Sequence, residues 1–225
     1  MSDNVSLSFL TKENSPTIRK TRFIDSYWKS RLFETYDMND RPLTPEEAEA
    51  KNSSISSLSN IFAIDYGHGF LSGEENVSSV NVQSNSGNRG YNFISKYNNS
   101  ELYIIDEEEL RLEMRDKHSD AIVLAVSLQE IIGGVLVVTR GSHGCVVVGE
   151  EWSGSVPAIS GNIKDTVGAG DAFFGIFSTF FSEKVPLKIS AFLANVAGYM
   201  EANIVGHKHK YSKLDFKQTT VALLK

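Results

Sequence analysis

Cysteine, proline and long apolar runs are all scarce in this sequence. The 225 residues include one cysteine and five prolines. A lone cysteine excludes an internal disulfide, so we expect a reducing, cytoplasmic location. Apolar stretches such as residues 121–128 are far shorter than the roughly 20 residues of a membrane-spanning helix. The first ten residues also lack the charged start and apolar centre of a signal peptide. A soluble chain with no membrane partner is therefore expected.

An excess of basic charge is also missing. Lysine and arginine number 22 against 28 aspartates and glutamates, and the net charge is −6. This balance argues against a nucleic-acid partner bound through bulk charge. A small anion such as a phosphate is not excluded, because backbone dipoles bind it locally. Since neither an internal repeat nor a long linker is visible, we expect residues 1–225 to form a single domain, with residues 1–45 as an antiparallel addition.

Short apolar runs alternate with helical segments along most of the chain. Strands are predicted at 61–65, 80–85, 102–106, 135–139 and 144–149, with one or two more within 17–37. Helices are predicted after Thr44, from 107 continuously to the Gly133–Gly134 pair, from the 165–171 segment to about 181, and finally from Pro186 to about 204. This alternation indicates an α/β fold with a mainly parallel central sheet flanked by helices.

The most informative segment is DTVGAGD at residues 165–171, which leads directly into the apolar run AFFGIFSTFF. Gly168 and Gly170 permit backbone angles closed to other residues and a close approach of a ligand to the main chain. The following helix supplies unpaired N–H groups and the positive end of its dipole, which suit an anion. Asp171 suits removal of a proton from an attacking hydroxyl, which favours phosphoryl transfer. The spacing fits equally well an aspartate that only stabilises the helix dipole.

DTVGAGDAFFG resembles the C-terminal signature D-T-x-G-A-G-D of the PfkB, or ribokinase-like, carbohydrate kinases, with every fixed position present. The resemblance implies a ribokinase-like fold and ATP-dependent phosphorylation of a hydroxyl on a sugar or sugar phosphate. It assigns the catalytic base to Asp171 and the anion hole to the amides of Gly168, Ala169 and Gly170. It also places Thr166 in the nucleotide-binding loop.

Three further segments resemble parts of the same family. VLVVTRGSHGCVVV resembles the strand–turn–strand T-x-G-x-x-G beside the nucleotide phosphates, which implies nucleotide binding by Thr139, Gly141 and Gly144. FLANVAGYMEANIVG resembles the helix that borders the adenine pocket, which implies a position near the base for Asn195. IIDEEE stands where the family carries N-x-x-E, which is tied to Mg²⁺; here Asp106 replaces the asparagine and Glu109 matches the glutamate. An ordinary hairpin turn and a solvated acidic helix start remain alternatives for the first and third segments.

A narrower similarity concerns the substrate. Three segments, FAIDYGHGFLS, VNVQSNSGNRGYNFISKY and KTRFIDSYWKSRLFETYDMND, look like the heptose-phosphate kinase branch of the family, which occurs in bifunctional heptose kinase/nucleotidyltransferases. In that setting Asp65, Gly67 and Gly69 lie at the C-terminal ends of strands, where open α/β sheets bind ligands. The amide-rich run that includes Gln83 and Asn85 suits recognition of sugar hydroxyls, and a polar surface loop explains it equally well.

Three other functional motifs fit the sequence less well. Gly67, Gly69 and Gly73 depart from the spacing of a dinucleotide fingerprint, and residues 76–100 contain no acid for the ribose. No G-x-x-x-x-G-K-[ST] segment is present, which excludes a P-loop kinase. The pair His207-x-His209 lacks cysteine or carboxylate support for a metal.

The main alternative is a PfkB-like protein that does not catalyse by itself. No G-G-x-x-x-N sugar-binding motif is present, and the resemblance covers only the later two-thirds of the family pattern. We therefore expect a chain that lacks the family's usual N-terminal portion. It would then be a nucleotide-binding or assembly module, or a fragment of a larger kinase. Such a chain would form a homo-oligomer or associate with an upstream or nucleotidyltransferase segment.

Overall fold

The computed structural model describes residues 5–27, 31–85, 87–161, 163–204 and 210–225. The chain divides into two compact units. The first comprises Met1–Ser59 and Gly67–Ser72, and the second comprises Asn60–Tyr66 and Gly73–Lys225. The pair His207-x-His209 lies outside the described residues.

The first unit contains a two-stranded antiparallel sheet and one helix. Strands β1 (Arg19–Ile24) and β2 (Arg31–Asp37) pair with Phe23 opposite Phe33, and these two rings stack with centroids 4.3 Å apart. Helix α1 (Pro45–Ile55) has Thr44 as its N-cap, as the sequence predicts. The Thr44 hydroxyl accepts a hydrogen bond from the Glu47 amide, and the Glu47 carboxylate accepts one from the Thr44 amide, which completes a capping box.

The second unit is built on a six-stranded sheet in the order β3-β4-β5-β6-β7-β8. The first four strands run parallel and the last two pairs are antiparallel. The strands are β3 (Phe62–Asp65), β4 (Ser79–Val82), β5 (Leu102–Asp106), β6 (Val135–Thr139), β7 (Cys145–Val148) and β8 (Gly154–Val156). The predicted α/β fold with a mostly parallel sheet is confirmed.

Five α-helices are described in the second unit. They are α2 (Glu107–Met114), α3 (Ala121–Ile132), α4 (Ala169–Ser182), α5 (Leu187–Ala202) and α6 (Lys213–Leu223). The prediction of one continuous helix from 107 to 132 is wrong. Arg115 takes a left-handed conformation (φ 52°) that ends α2, and the Asp120 side chain caps a new helix by accepting from the Ile122 amide. The prediction that α5 is the last helix is also wrong, because Ser212 and Asp215 form a capping box that begins α6.

The core of this unit lies between the sheet and helices α4 and α5. Its buried side chains are Leu102, Ile104, Val137, Cys145, Val147, Val156, Phe173, Phe174, Phe177, Leu187, Ala191 and Ala194. A Cβ added to Gly198 of α5 would lie 3.3 Å from the Ala169 carbonyl oxygen, so the small residue lets α5 approach the start of α4 closely. None of the helices in the described part of the chain is long and apolar enough to cross a membrane.

Candidate active site

The C-terminal ends of the four parallel strands meet at one edge of the sheet. Asp65 at the end of β3 is in register with Val82 at the end of β4. Asp106 at the end of β5 is in register with Thr139 at the end of β6. Ligands of open α/β sheets bind at this edge. The structure therefore brings three residues with predicted roles, Asp65, Asp106 and Thr139, to the edge where a site is expected.

The segment 165–171 forms the N-terminus of α4. Gly168 is the N-cap and has a left-handed backbone (φ 82°, ψ −9°) that only glycine adopts readily. Gly170 lies inside the helix, without a positive φ, and a Cβ placed on it would meet nothing within 4 Å. The turn therefore needs glycine at 168, whereas at 170 glycine leaves the space beside the main chain open.

The loop before α4 is anchored at both ends. The amides of Lys164 and Asp165 donate to the Ala202 carbonyl at the end of α5, each at 3.0 Å. The Ala169 amide donates to the Thr166 carbonyl at 3.3 Å. The amides of Gly170 and Asp171 in the first turn belong to the set that a helix leaves without an intrahelical partner. An anion placed here would meet these two amides and the positive end of the α4 dipole.

Asp171 lies in the first turn of α4 and is half-buried. Its Oδ1 accepts a hydrogen bond of 2.7 Å from Nε2 of Gln83, the residue that follows β4. This bond joins the start of α4 to the C-terminal edge of the parallel sheet. Gln83 belongs to the amide-rich run in the sequence, but the sequence contains no signal of a contact between residues 88 positions apart.

Asp106 and Glu109 form a capping box at the start of α2. The Glu109 amide donates to Asp106 Oδ1 at 2.7 Å, and the Asp106 amide donates to Glu109 Oε2 at 2.8 Å. Glu109 Oε1 accepts from the Ser84 amide at 2.7 Å. Burial, and then the neighbouring Asp106 charge, raise the pKa of Glu109 to about 7. Burial likewise raises the pKa of Asp106.

This carboxylate pair is compatible with one kind of metal site. Within the described ranges, no group of three or more histidine, cysteine, aspartate or glutamate side chains could hold a metal ion. Magnesium in nucleotide sites commonly uses only one or two carboxylates together with water and phosphate oxygens. Asp106 and Glu109 lie together at the start of α2 and supply carboxylate oxygens, so the pair fits Mg²⁺ bound in that way.

The turn between β6 and β7 contains the predicted phosphate-binding glycines. Gly141 and Gly144 have φ values of 53° and 80°. A Cβ on Gly144 would overlap the Val156 carbonyl, so close packing on β8 requires glycine at this position. A Cβ on Gly141 would meet nothing within 4 Å. The structure thus accounts for Gly144 through packing and leaves space beside Gly141. Thr139 Oγ1 donates to the Ile105 carbonyl at 3.4 Å.

Asn195, the predicted neighbour of the adenine, tethers α5 to the end of β8. Its Nδ2 donates to the Pro157 carbonyl at 3.1 Å and to the Val156 carbonyl at 3.4 Å. These bonds hold the side-chain amide against the main chain after β8. A role beside the base stays a prediction.

The predicted sugar-binding residues are distributed over both units. The Asp65 side chain is only 3% exposed and pairs with Lys96 Nζ at 2.6 Å, while the Tyr97 hydroxyl donates to its Oδ2 at 3.0 Å. Gly67 and Gly69 belong to the first unit and have φ values of 69° and 75°. Asn85 Nδ2 donates to the Tyr66 carbonyl at 2.8 Å. Substrate binding by these four residues stays a prediction.

Comparison with known proteins decides the family. The model of the pfkB family carbohydrate kinases matches residues 2–206. The chain belongs to the pfkB family. The segments that match individual relatives are shorter than the segment that matches the family model. A ribokinase of Lactococcus lactis subsp. lactis is 34% identical over 92 residues, which cover 40% of this chain and 31% of that protein. Fructokinase-2 of Oryza sativa subsp. japonica is 38% identical over 74 residues, which cover 33% of this chain and 21% of that protein. The chain thus matches about a third or less of each relative's length.

A solved structure supports the fold across most of the chain. The ribokinase from Thermotoga maritima superposes with a TM-score of 0.73 at 14% sequence identity and covers 91% of this chain and 70% of that one. At this identity the likeness concerns the fold alone. The predicted ribokinase-like fold is confirmed.

Proposed function

We propose that this pfkB protein transfers the γ-phosphoryl group of ATP to a hydroxyl of a sugar or sugar phosphate. The observation that carries the proposal is the position of Asp171. Its carboxylate lies in the first turn of α4, beside amides that suit an anion, and is joined through Gln83 to the edge where the parallel strands end. A carboxylate and an anion site in contact are what phosphoryl transfer to a hydroxyl requires.

Each group then has a defined task. The oxygen of the acceptor hydroxyl forms a bond to the γ-phosphorus as the bond to the leaving ADP breaks, and the hydroxyl proton passes to Asp171. The amides at Gly168–Gly170 and the α4 dipole stabilise the negative charge on the transferred group. Thr139, Gly141, Gly144, Thr166 and Asn195 are proposed to hold the nucleotide. Asp106 and Glu109 would hold Mg²⁺, which supplies neutralisation of phosphate charge.

The acceptor is proposed as a sugar or sugar phosphate because the relatives are named ribokinase and fructokinase. Residues 62–72 and 80–97 favour a heptose phosphate within that class. Asp65, Gly67, Gly69 and Asn85 are the proposed substrate-binding residues, and the reaction is proposed to take place in the cytoplasm. The proposed partners include a second copy of the chain or a nucleotidyltransferase segment.

One observation favours a second candidate, a module that binds nucleotide without turnover. The carboxylate of Asp65 lies buried in an internal ion pair with Lys96, so it is already engaged within the unit. Asp171 and the start of α4, which are proposed to act on the nucleotide phosphates, lie in the described part of the chain. Binding of Mg-ATP without transfer to any sugar would support this candidate.

The test measures ADP formation and nucleotide affinity separately. The chain is incubated with Mg-ATP and D-ribose, D-fructose or a heptose phosphate, and ATP affinity is measured by calorimetry. We expect Asp171→Asn to lower turnover by about 10²- to 10⁴-fold without loss of ATP affinity. Asp120→Asn is the matched control, because asparagine caps α3 as well as aspartate does. Unchanged turnover in Asp171→Asn would contradict the base assignment, and a folded chain with no affinity for Mg-ATP would contradict both candidates.

A further inference from the structure

A chain of side-chain amides leads from the centre of the sheet to the Asp171 carboxylate. Asn81 in β4 is 8% exposed, and its Nδ2 donates to the Ile104 carbonyl of β5 at 2.8 Å. Gln83 Nε2 donates to Asn81 Oδ1 at 3.0 Å and to Asp171 Oδ1 at 2.7 Å. Both hydrogens of the Gln83 amide are therefore used, one on each acceptor.

The Ile104 carbonyl determines which group donates in each of these hydrogen bonds. The Ile104 carbonyl accepts only, so Asn81 must present its NH₂ group there and its oxygen to Gln83. Gln83 must then present its own NH₂ group to that oxygen, and its second hydrogen points at Asp171. The opposite orientation of either amide would place oxygen against oxygen. Gln83 is thus the donor and Asp171 Oδ1 the acceptor of the hydrogen bond between them.

The main chain of Gln83 is held as firmly as its side chain. Its amide donates to the Asp65 carbonyl at 2.8 Å. Its carbonyl accepts from Asn92 Nδ2 at 3.2 Å, and Asn92 Oδ1 accepts from Lys96 Nζ at 2.8 Å. A donor that is fixed at both ends orients its partner, because neither group moves without breaking several hydrogen bonds.

We propose that Gln83 is a positioning residue for phosphoryl transfer, an inference that rests on the proposed function. Within the described part of the chain, Gln83 is the one hydrogen-bond partner of the Asp171 carboxylate. By holding Oδ1, it fixes the rotation of the carboxylate and presents Oδ2 to the acceptor hydroxyl. Oδ2 is then the atom that takes the proton. The sequence pattern alone associates Gln83 with sugar hydroxyls, whereas the structure assigns it to the base.

The kinetic test uses two replacements of nearly the same shape. Gln83→Met removes the donor, and we expect it to lower kcat by about 10- to 100-fold while the KM for ATP stays within a factor of two. Gln83→Glu places a carboxylate against Asn81 Oδ1 and Asp171, so we expect a larger loss of kcat than in Gln83→Met. Gln129→Met is the matched control, since Gln129 makes its hydrogen bond to Gly134 away from this edge. We expect kcat of the control to equal that of the parent.

A spectroscopic readout separates this inference from the proposed function. The side-chain amide of Gln83 is followed by ¹H–¹⁵N NMR in the parent chain and in Asp171→Asn, with Asp120→Asn as the control. We expect one Gln83 amide proton to move upfield in Asp171→Asn, because a hydrogen bond to a carboxylate is stronger than one to an amide oxygen. We expect no change in Asp120→Asn.

Each result either supports or overturns the proposed role of Gln83 or the proposed kinase activity. A lowered kcat in both Gln83 variants together with a moved Gln83 resonance supports the inference. Parent-like kcat in Gln83→Met, or equal losses in Gln83→Met and Gln83→Glu, overturns it, because a role in packing alone does not depend on charge. An unchanged Gln83 amide chemical shift in Asp171→Asn also overturns it. A folded parent that binds Mg-ATP but transfers to none of the three acceptors overturns the proposed kinase activity, while the NMR result still decides whether Gln83 holds Asp171.

Discussion

Two glycines in the α4 start, Gly168 and Gly170, should respond to alanine with opposite signs. Gly168 has a left-handed backbone (φ 82°, ψ −9°), and an L-residue in that region costs about 1–2 kcal/mol. Gly170 is helical and a Cβ there would meet nothing within 4 Å. Alanine at such a position stabilises by about 0.4–1 kcal/mol, chiefly because it restricts the unfolded chain.

The assay is equilibrium unfolding in urea followed by tryptophan emission. A Trp28→Phe background leaves Trp152, which packs against the core of the second unit, as the reporter. We expect Gly168→Ala to lower the free energy of unfolding by about 1–2 kcal/mol. We expect Gly170→Ala to raise it by about 0.4–1 kcal/mol. For a chain of this size, each kcal/mol corresponds to about 2–4 °C in Tm.

The test rests on the difference in the free energy of unfolding between Gly168→Ala and Gly170→Ala. Both changes add one methyl group within three residues of each other, so general effects of the extra carbon cancel. A destabilisation of the same size at both positions would refute the backbone argument for Gly168. We also expect Gly170→Ala to bind Mg-ATP more weakly without loss of stability, because the methyl group would occupy the open space beside the main chain.

Two further predictions concern ionisable groups. Burial raises the pKa of Glu109 from 4.5 to about 7. The folded chain therefore binds this proton more tightly than the unfolded chain does. The stability that Glu109 contributes is fully present below pH 4.5 and is lost as the pH rises to 7. We expect the free energy of unfolding of the parent, relative to Glu109→Gln, to fall by up to about 3 kcal/mol across that window, and a flat difference in urea titrations would contradict the assignment. Burial also raises the pKa of the Cys145 thiol to about 12, so a disulfide reagent at pH 8 should label it only after urea unfolds the chain; labelling of the folded protein at the rate of a free thiol would contradict this burial.

Several parts of the fold could be predicted because their causes lie within a few residues. The Thr44–Glu47 capping box begins α1 as predicted, since both partners lie within one helical turn. The sequence prediction did not divide α2 from α3, because the break between them has no clear signal in the residue types. Residues 107–132 are helix formers for most of their length, and a left-handed Arg115 has no compositional signal of the kind that glycine provides.

The sequence by itself predicted the family, most of the strands and helices, and the segment proposed as the site at the start of α4, because these depend on residue types at short and regular spacings. The DTVGAGD segment contains its own turn, its own helix start and its own carboxylate. Only the tertiary structure decided what those groups touch. Packing of α4 against the sheet brings Asp171 to Gln83, 88 residues away, and burial beside Lys96 and Tyr97 engages the Asp65 carboxylate. Such contacts depend on how distant segments pack, and one sequence records no spacing between residues that meet only in the folded chain.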